Sequence, residues 1–279
     1  MGKIFWLASY PKSGNTWLRA LLANLLANQD EPVPLRRLPD YCEDEARPEL
    51  YSLVAGVPST GLDVGRICAL RARVHELLAA KHPGVLFVKT HNLAGYFDGY
   101  PLHNPNVTAG AIYIVRNPLD VAISMAHHFG ISFDEAAERL SNENLATGND
   151  ALFVTQILGS WSKHVASWSH PTRSRVLVLR YEDLLEKPTK HFARVVRFIG
   201  IESSRDRIER AVRNASFSTL ASIERREGFA EAPRPGQRFF RVGRANQWRE
   251  VLDRRQIAKI VADHRQQMAR FHYLPGGYA

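Results

Sequence analysis

Residues 4–26 restrict the fold more tightly than any other stretch. Ile4-Phe5-Trp6-Leu7-Ala8 is an unbroken apolar run, Ser9 to Gly14 is turn chemistry carrying one lysine, and leucines recur at 18, 21, 22, 25 and 26. The run has the length of a buried strand, and the leucine spacing draws one apolar stripe along a helix. A buried strand, a tight loop and a helix that lays one face on a sheet form the opening unit of an α/β domain. The same order makes an anion site. The first helical turn offers unpaired backbone N–H groups and the positive end of the helix dipole, while Lys12 adds a charge and Ser13 and Thr16 add hydroxyls. A nucleotide-triphosphate loop of the form GxxxxGK[ST] is not met, because Lys12 precedes Gly14.

Tyr10-Pro11-Lys12-Ser13-Gly14-Asn15-Thr16-Trp17 resembles, almost letter for letter, the YPKSGTTW signature of sulfotransferases that use 3′-phosphoadenosine 5′-phosphosulfate (PAPS). Asn15 stands where that family usually has threonine and keeps a donor. The resemblance implies phosphate contacts from Lys12, Ser13, Gly14, Asn15, Thr16 and Trp17.

Three further strands end in residues that carry chemistry. Gly84 to Val88 reads as a second strand, and Lys89 and His91 leave its end on a common side if the backbone stays extended. The segment is similar to the family's Lys-x-His element, which implies His91 as general base and Lys89 as charge stabiliser. Ala111 to Val115 is a third strand. After it Asn117 suits an N-cap, Pro118 the first helical position and Asp120 the first turn. Arg116 and Ser124 resemble the RNPxDxxxS motif that holds the 3′-phosphate. The fourth strand, 175–179, runs into Arg180-Tyr181-Glu182-Asp183-Leu184, where the resemblance places Tyr181 against the adenine. Phe217 matches a Ser-Phe segment whose aromatic packs on the base, with Ala215 replacing a frequent threonine. Arg241, Gly243 and Trp248 match part of an RKGxxGDWK loop, in which Val242 stands for lysine, Asn246 for glycine and Gln247 for aspartate. Arg244 compensates for the missing lysine if it turns the same way.

The remaining chain bounds the reading. Its 279 residues, 45% hydrophobic and 23% charged, suit one domain over 1–279 with its own core. No run approaches the roughly 20 apolar residues of a membrane span, and the first strand starts too early for a signal peptide, so a cytoplasmic protein is expected. The net charge of +9 favours anionic partners. Arginines at 225, 226, 234, 238, 241, 244 and 249, interleaved with glycine and aromatics, favour a loop closing over an anion, and no motif supports nucleic acid. Cys42 and Cys68 read as ordinary thiols, and the eleven histidines show no metal spacing, so no metal is expected. Helices are expected over 64–80, within 130–149, along 150–169 with Trp161 and Trp168 as packing residues, and over 191–199, 205–214 and 251–271. Residues 30–65 carry no firm element.

Taken together, the residues and the resemblance imply a single α/β domain, a parallel sheet of four or five strands flanked by helices, with a P-loop-like nucleotide-binding plan. They imply sulfuryl transfer from PAPS, without metal, to an acceptor alcohol, phenol or sugar. The acceptor pocket is expected from 30–65, 92–105, 125–150 and 220–238. A P-loop small-molecule kinase and a non-catalytic nucleotide or nucleic-acid binder remain the alternatives.

Overall fold

The computed structural model describes residues 2–170, 175–232 and 237–278. Arg234, one of the late arginines, lies outside them. Strand β1 (Lys3–Ser9) leads through the loop to helix α1 (Asn15–Ala27). Then come the two-residue β2 (Glu43–Asp44), α2 (Pro48–Ala55), α3 (Val64–Ala80) and β3 (Val85–Thr90). A small hairpin, β4 (Tyr96–Phe97) and β5 (Tyr100–Pro101), precedes β6 (Thr108–Val115), α4 (Pro118–Phe129) and α5 (Phe133–Ser141). Next are α6 (Trp161–Trp168), β7 (Val176–Arg180), α7 (Tyr181–Glu186), α8 (Pro188–Ile199), α9 (Arg205–Asn214) and α10 (Phe217–Glu227). The short α11 (Trp248–Val251) and α12 (Arg254–Arg270) complete the fold.

The main sheet is parallel throughout and ordered β2-β3-β1-β6-β7, so five strands form it. Side-chain alternation explains its two cores. Ile4, Trp6 and Ala8 join Val88 and Tyr113 on one face, where α3, α4, α5, α6 and α12 pack. Phe5 and Leu7 join Phe87, Ile112 and Leu177 on the other, against the α1 leucines and Phe192 of α8. Strands buried on both faces read as continuous apolar runs, which is why periodicity in the sequence locates them.

The expected long helix over 150–169 is shorter. Only α6 is helical, starting after the N-cap Ser160, whose hydroxyl accepts from Lys163 N. Residues 151–156 before it are irregular, tied instead by loop hydrogen bonds such as Val154 N to Ala46 O at 2.9 Å. Trp161 and Trp168 are buried in the core as packing residues. The 130–149 excursion contains α5 alone, and the 30–65 stretch holds β2, α2 and two 3₁₀ turns. Both cysteines are buried and unpaired.

Candidate active site

The carboxyl ends of β1, β3, β6 and β7 open into one cleft of about 730 Å³. In an open parallel sheet this is the edge where ligands bind, because strand-end loops converge there. Seven helices, α3, α4, α5, α6, α9, α10 and α12, carry an Asp, Asn or Ser side chain as N-cap. Helix α1 differs. Its N-cap is Gly14, which has no side chain to offer, so the first-turn N–H groups stay open toward the cleft.

Two glycines set the width of the cleft. Gly14 has φ of 107°, and a Cβ there would stand 2.8 Å from the Tyr181 ring. Gly243 has φ of 67°, and its Cβ would stand 2.3 Å from Phe217. Each glycine lets backbone approach an aromatic wall that a side chain would push away. Lys12 is also left-handed, with φ of 67°, a conformation that costs an L-residue about 1–2 kcal/mol. The turn is held by Arg116, whose Nη1 donates to the Lys12 carbonyl at 3.0 Å, with its guanidinium 4.5 Å from the Tyr181 ring centroid.

The Lys12 ammonium reaches His128 Nδ1 at 3.0 Å and lies 4.1 Å from the Phe239 ring centroid. Burial, partly opposed by Glu231, and the nearby Arg116 and Lys89 charges bring its pKa down to about 7. Burial and Lys12 together lower His128 to about 4, so its imidazole accepts. Lys89 is held differently, its Nζ donating to Asp44 Oδ2 at 2.7 Å.

His91 stands at the end of β3 with Nδ1 2.8 Å from the Ser9 carbonyl. A carbonyl only accepts, so Nδ1 carries the proton and Nε2 keeps its lone pair. Burial, then the Lys89 charge, lowers the imidazole to about 4. The backbone on either side is fixed as well, His91 N donating to Gln156 Oε1 at 3.1 Å and the His91 carbonyl accepting from His164 Nε2 at 3.0 Å.

The sequence-predicted residues Lys12, Gly14, Thr16, Trp17, Lys89, His91, Arg116, Ser124, Tyr181, Phe217, Arg241 and Gly243 all line this cleft. Asn15 lines it too, but its side chain turns inward. Asn15 Nδ2 donates to the Leu7 carbonyl at 2.8 Å and sits 3.4 Å from Ser9 Oγ, so its amide braces the loop and does not reach into the cleft. Ser13 is fully buried, its hydroxyl without a partner among the described residues. Arg244 departs from expectation. It points outward, 56% exposed, and pairs with Glu250.

Several contributors left little trace in the sequence. The Glu231 carboxylate accepts from Thr16 Oγ1 at 3.0 Å and from Arg19, so an internal anion occupies the mouth of α1. Burial opposes its charge, but Arg19 and Lys89 outweigh that and hold it at about 2. More than 200 residues separate Glu231 from its partners, and no local pattern announces it. His128 had a signal, since it lies four residues after Ser124 on the same helical face. Asp120, read as a dipole partner, does more. Its two oxygens accept from Asn246 N at 2.7 Å and Trp248 N at 3.1 Å, while Glu224 accepts from Phe239 N and Phe240 N, so carboxylates pin the arginine loop at both ends.

The acceptor side also differs from expectation. Phe129 and Thr147 come from the predicted 125–150 and Ala230 to Ala232, with Gln237 to Phe240, from around 220–238, but Leu152, Phe153 and Gln156 come from the stretch expected to be helical. Residues from 30–65 and 92–105 do not line the cleft among those described.

Comparison with known proteins follows the same lines. The family model of the sulfotransferase domain matches residues 3–272. Sulfotransferase 1B1 of Canis lupus familiaris is 28% identical over 77% of this chain and 64% of its own length. Sulfotransferase 1A1 of the same organism is 23% identical over 94% of this chain and 82% of its own length. Cytosolic sulfotransferase 17 of Arabidopsis thaliana is 25% identical over 92% and 71%. The chain thus spans just under two thirds of the first of these relatives. Among solved structures, retinol dehydratase with androsterone and the inactive cofactor PAP superposes with a TM-score of 0.64 at 22% identity, covering 95% of this chain and 80% of that one. A mouse sulfotransferase complexed with PAP gives 0.62 at 22%, covering 96% and 84%. These likenesses establish a shared fold.

Proposed function

The chain belongs to the sulfotransferase domain family, and from that premise we propose that it transfers a sulfuryl group from PAPS to a hydroxyl or amine of an acceptor, leaving adenosine 3′,5′-bisphosphate (PAP). The observation that carries this reading is the convergence of His91, Lys12, Lys89 and Arg116 on one cleft, with His91 Nε2 free to accept a proton. The cleft fits the donor chemically. It offers an uncapped helix N-terminus and several cations for phosphates, and two glycine-backed aromatic rings, Tyr181 and Phe217, for a flat base.

Each group then has a task. Arg116, with Ser124 and Arg241, holds the 3′-phosphate, while Lys12, Thr16 and the backbone of Ser13 to Trp17 hold the 5′ side. His91 Nε2 takes the acceptor proton as the acceptor oxygen or nitrogen bonds to sulfur and the sulfur–phosphate oxygen bond breaks. Lys89 neutralises the sulfuryl oxygens, and Lys12 the charge left on the bridging oxygen. Transfer of this kind needs positioning and charge stabilisation more than covalent participation. The His91 pKa near 4 belongs to the anion-free cleft. Negative charge arriving beside an imidazole favours its protonated form, so the donor itself makes His91 a better base.

The acceptor is a small molecule with an apolar body in this reading. Phe129, Leu152 and Phe153 stand in the cleft wall beside Thr147 and Gln156, and solved relatives of the fold are complexed with androsterone and retinol. A sugar is the second candidate. Among the described residues no helix is long and apolar enough to cross a membrane, and one relative is named cytosolic, so we place the reaction in the cytoplasm. Thermal-shift and turnover measurements test the assignment. PAP should raise the melting temperature without magnesium, and labelled PAPS should pass its sulfur to an acceptor from a panel of alcohols and phenols. Stabilisation by magnesium-ATP or an oligonucleotide instead would move the protein to another class.

A further inference from the structure

Two consecutive carboxylates grip the end of β3 from opposite sides. Strand β2 pairs in register with β3, Asp44 opposite Lys89, and alternation sends Asp44 and its neighbour Glu45 to different faces. On the cleft side Asp44 accepts from Lys89 Nζ at 2.7 Å. On the far side Glu45 is fully buried. One of its oxygens accepts from Thr90 Oγ1 and from Asn92 Nδ2, the latter at 2.7 Å. The other meets His75 Nε2 at 2.9 Å and Arg71 Nη1 at 3.3 Å. Asn92 passes the grip onward, its Oδ1 accepting from Ile157 N at 2.7 Å.

The gripped residues, Lys89, Thr90 and Asn92, flank His91. A buried carboxylate with four donors is a costly way to hold a strand end, since apolar side chains of similar volume often stabilise as well or better. What such a network supplies is a single geometry, because each lost partner leaves a desolvated charge or donor. We propose that Asp44 and Glu45 are positioning residues for the transfer reaction, fixing Lys89 and the backbone of His91 so that ammonium and imidazole meet the same point of the cleft. The proposal rests on the sulfotransferase reading and on His91 as its base.

The test compares Glu45→Gln, Thr90→Val, Asp44→Asn and Asp44→Glu with wild type and with His91→Ala. It measures kcat, the KM for PAPS and the calorimetric Kd of PAP. Glu45→Gln should lower kcat by about tenfold or more and Thr90→Val by about threefold to tenfold, with PAP affinity within about twofold, because the nucleotide-facing groups stand on other elements. Asp44→Asn should also lower kcat, and Asp44→Glu should recover part of it. Wild-type kcat in folded Glu45→Gln and Thr90→Val, with only a lower melting temperature, overturns the proposal and leaves the network a fold support. If Glu45→Gln does not fold, the kcat of Thr90→Val decides between positioning and fold support. A His91→Ala enzyme turning over at the wild-type rate would instead sink the base assignment beneath the proposal.

Discussion

Two lysines enter the same cleft from two strand ends, and they are charged in different ways. Lys89, at the end of β3, sits on Asp44, so its charge has a partner before any ligand arrives. Lys12, after β1, lies against Phe239 and a neutral imidazole, in the field of Arg116 and Lys89, and its pKa falls to about 7. With a pKa of about 7, part of Lys12 is uncharged near neutral pH in the free chain. In the proposed reaction a paired, fixed cation and a conditional one therefore face the reacting atoms. The fixed one keeps its geometry, while the conditional one becomes fully charged only when an anion makes its charge worthwhile.

Removing the groups nearest the reaction tests this contrast most harshly. His91→Ala should abolish acceptor sulfation while hardly changing PAP affinity, because the proposed base faces the acceptor and not the nucleotide. Lys12→Ala should raise the barrier by about 2–4 kcal/mol, the scale of one preorganised charge lost, in a chain that still folds. Near-normal turnover without Lys12 would end the distinction between the two lysines. Arg116→Ala comes next. In the proposed assignment it removes a guanidinium fork from the 3′-phosphate, and it should weaken PAP by about 1.5–3 kcal/mol, leaving adenosine 5′-phosphate nearly untouched. Equal losses for both nucleotides would reassign Arg116 to holding the Lys12 turn, the contact it makes through the Lys12 carbonyl.

The conditional charge has a pH signature whose sign is fixed. An anion binds the ammonium form, so binding raises the Lys12 pKa above its free value of about 7. The contribution is complete below pH 7 and is lost as pH rises through the bound-state pKa, so PAP affinity should fall by up to about tenfold per pH unit above 7. Binding at pH 7 should take up roughly half a proton from this group, which calorimetry in two buffers of different ionisation enthalpy measures. Proton release, or no exchange, would show that Lys12 is charged throughout.

A smaller effect concerns the anion already present. Glu231 accepts from Thr16 and Arg19, where an incoming phosphate has claims on the same donors. Glu231→Gln should keep an acceptor but remove the charge, tightening PAP by a few-fold, roughly 1 kcal/mol on the scale of a partly screened pair. Weaker binding would make Glu231 a support for the loop beneath the ligand.

These contrasts also mark how far the sequence could be read. The strand ends were legible because β1, β3 and β6 are buried on both faces and therefore appear as apolar runs, and the cleft-lining side chains follow them within a few residues. Lys12, Lys89, His91 and Arg116 belong to that class. What could not be read was set by distance. Glu231 meets α1 from the far end of the chain, and Asp44 and Glu45 meet β3 through a strand of two residues, too short to show alternation. The 150–169 stretch misled because Trp161, Val165 and Trp168 lie at helical spacing, whereas Leu152 and Phe153 before them are exposed residues beside the cleft, not a further turn of the same stripe.

Arg244 gives the finest test of the late loop. In the sequence it is the candidate substitute for the lysine that Val242 replaces, beside Arg241, which matches the loop motif directly. The geometry separates them. Arg241 lies near enough to Arg116 for that charge, after burial, to lower its pKa, so an anion between the two guanidinium groups relieves a repulsion. Arg244 has turned to Glu250 at the surface, where an exposed ion pair contributes little. Arg241→Ala should therefore weaken PAP by about tenfold, while Arg244→Ala changes it by less than about twofold. The two variants are measured by the same calorimetric titration in low and moderate salt. A loss on Arg244→Ala as large as that on Arg241→Ala, persisting in moderate salt, would mean that the Glu250 pair opens when the nucleotide binds and that Arg244 swings in to hold the phosphate. The division of this loop into one cleft-lining cation and one cation paired outside it would then fail.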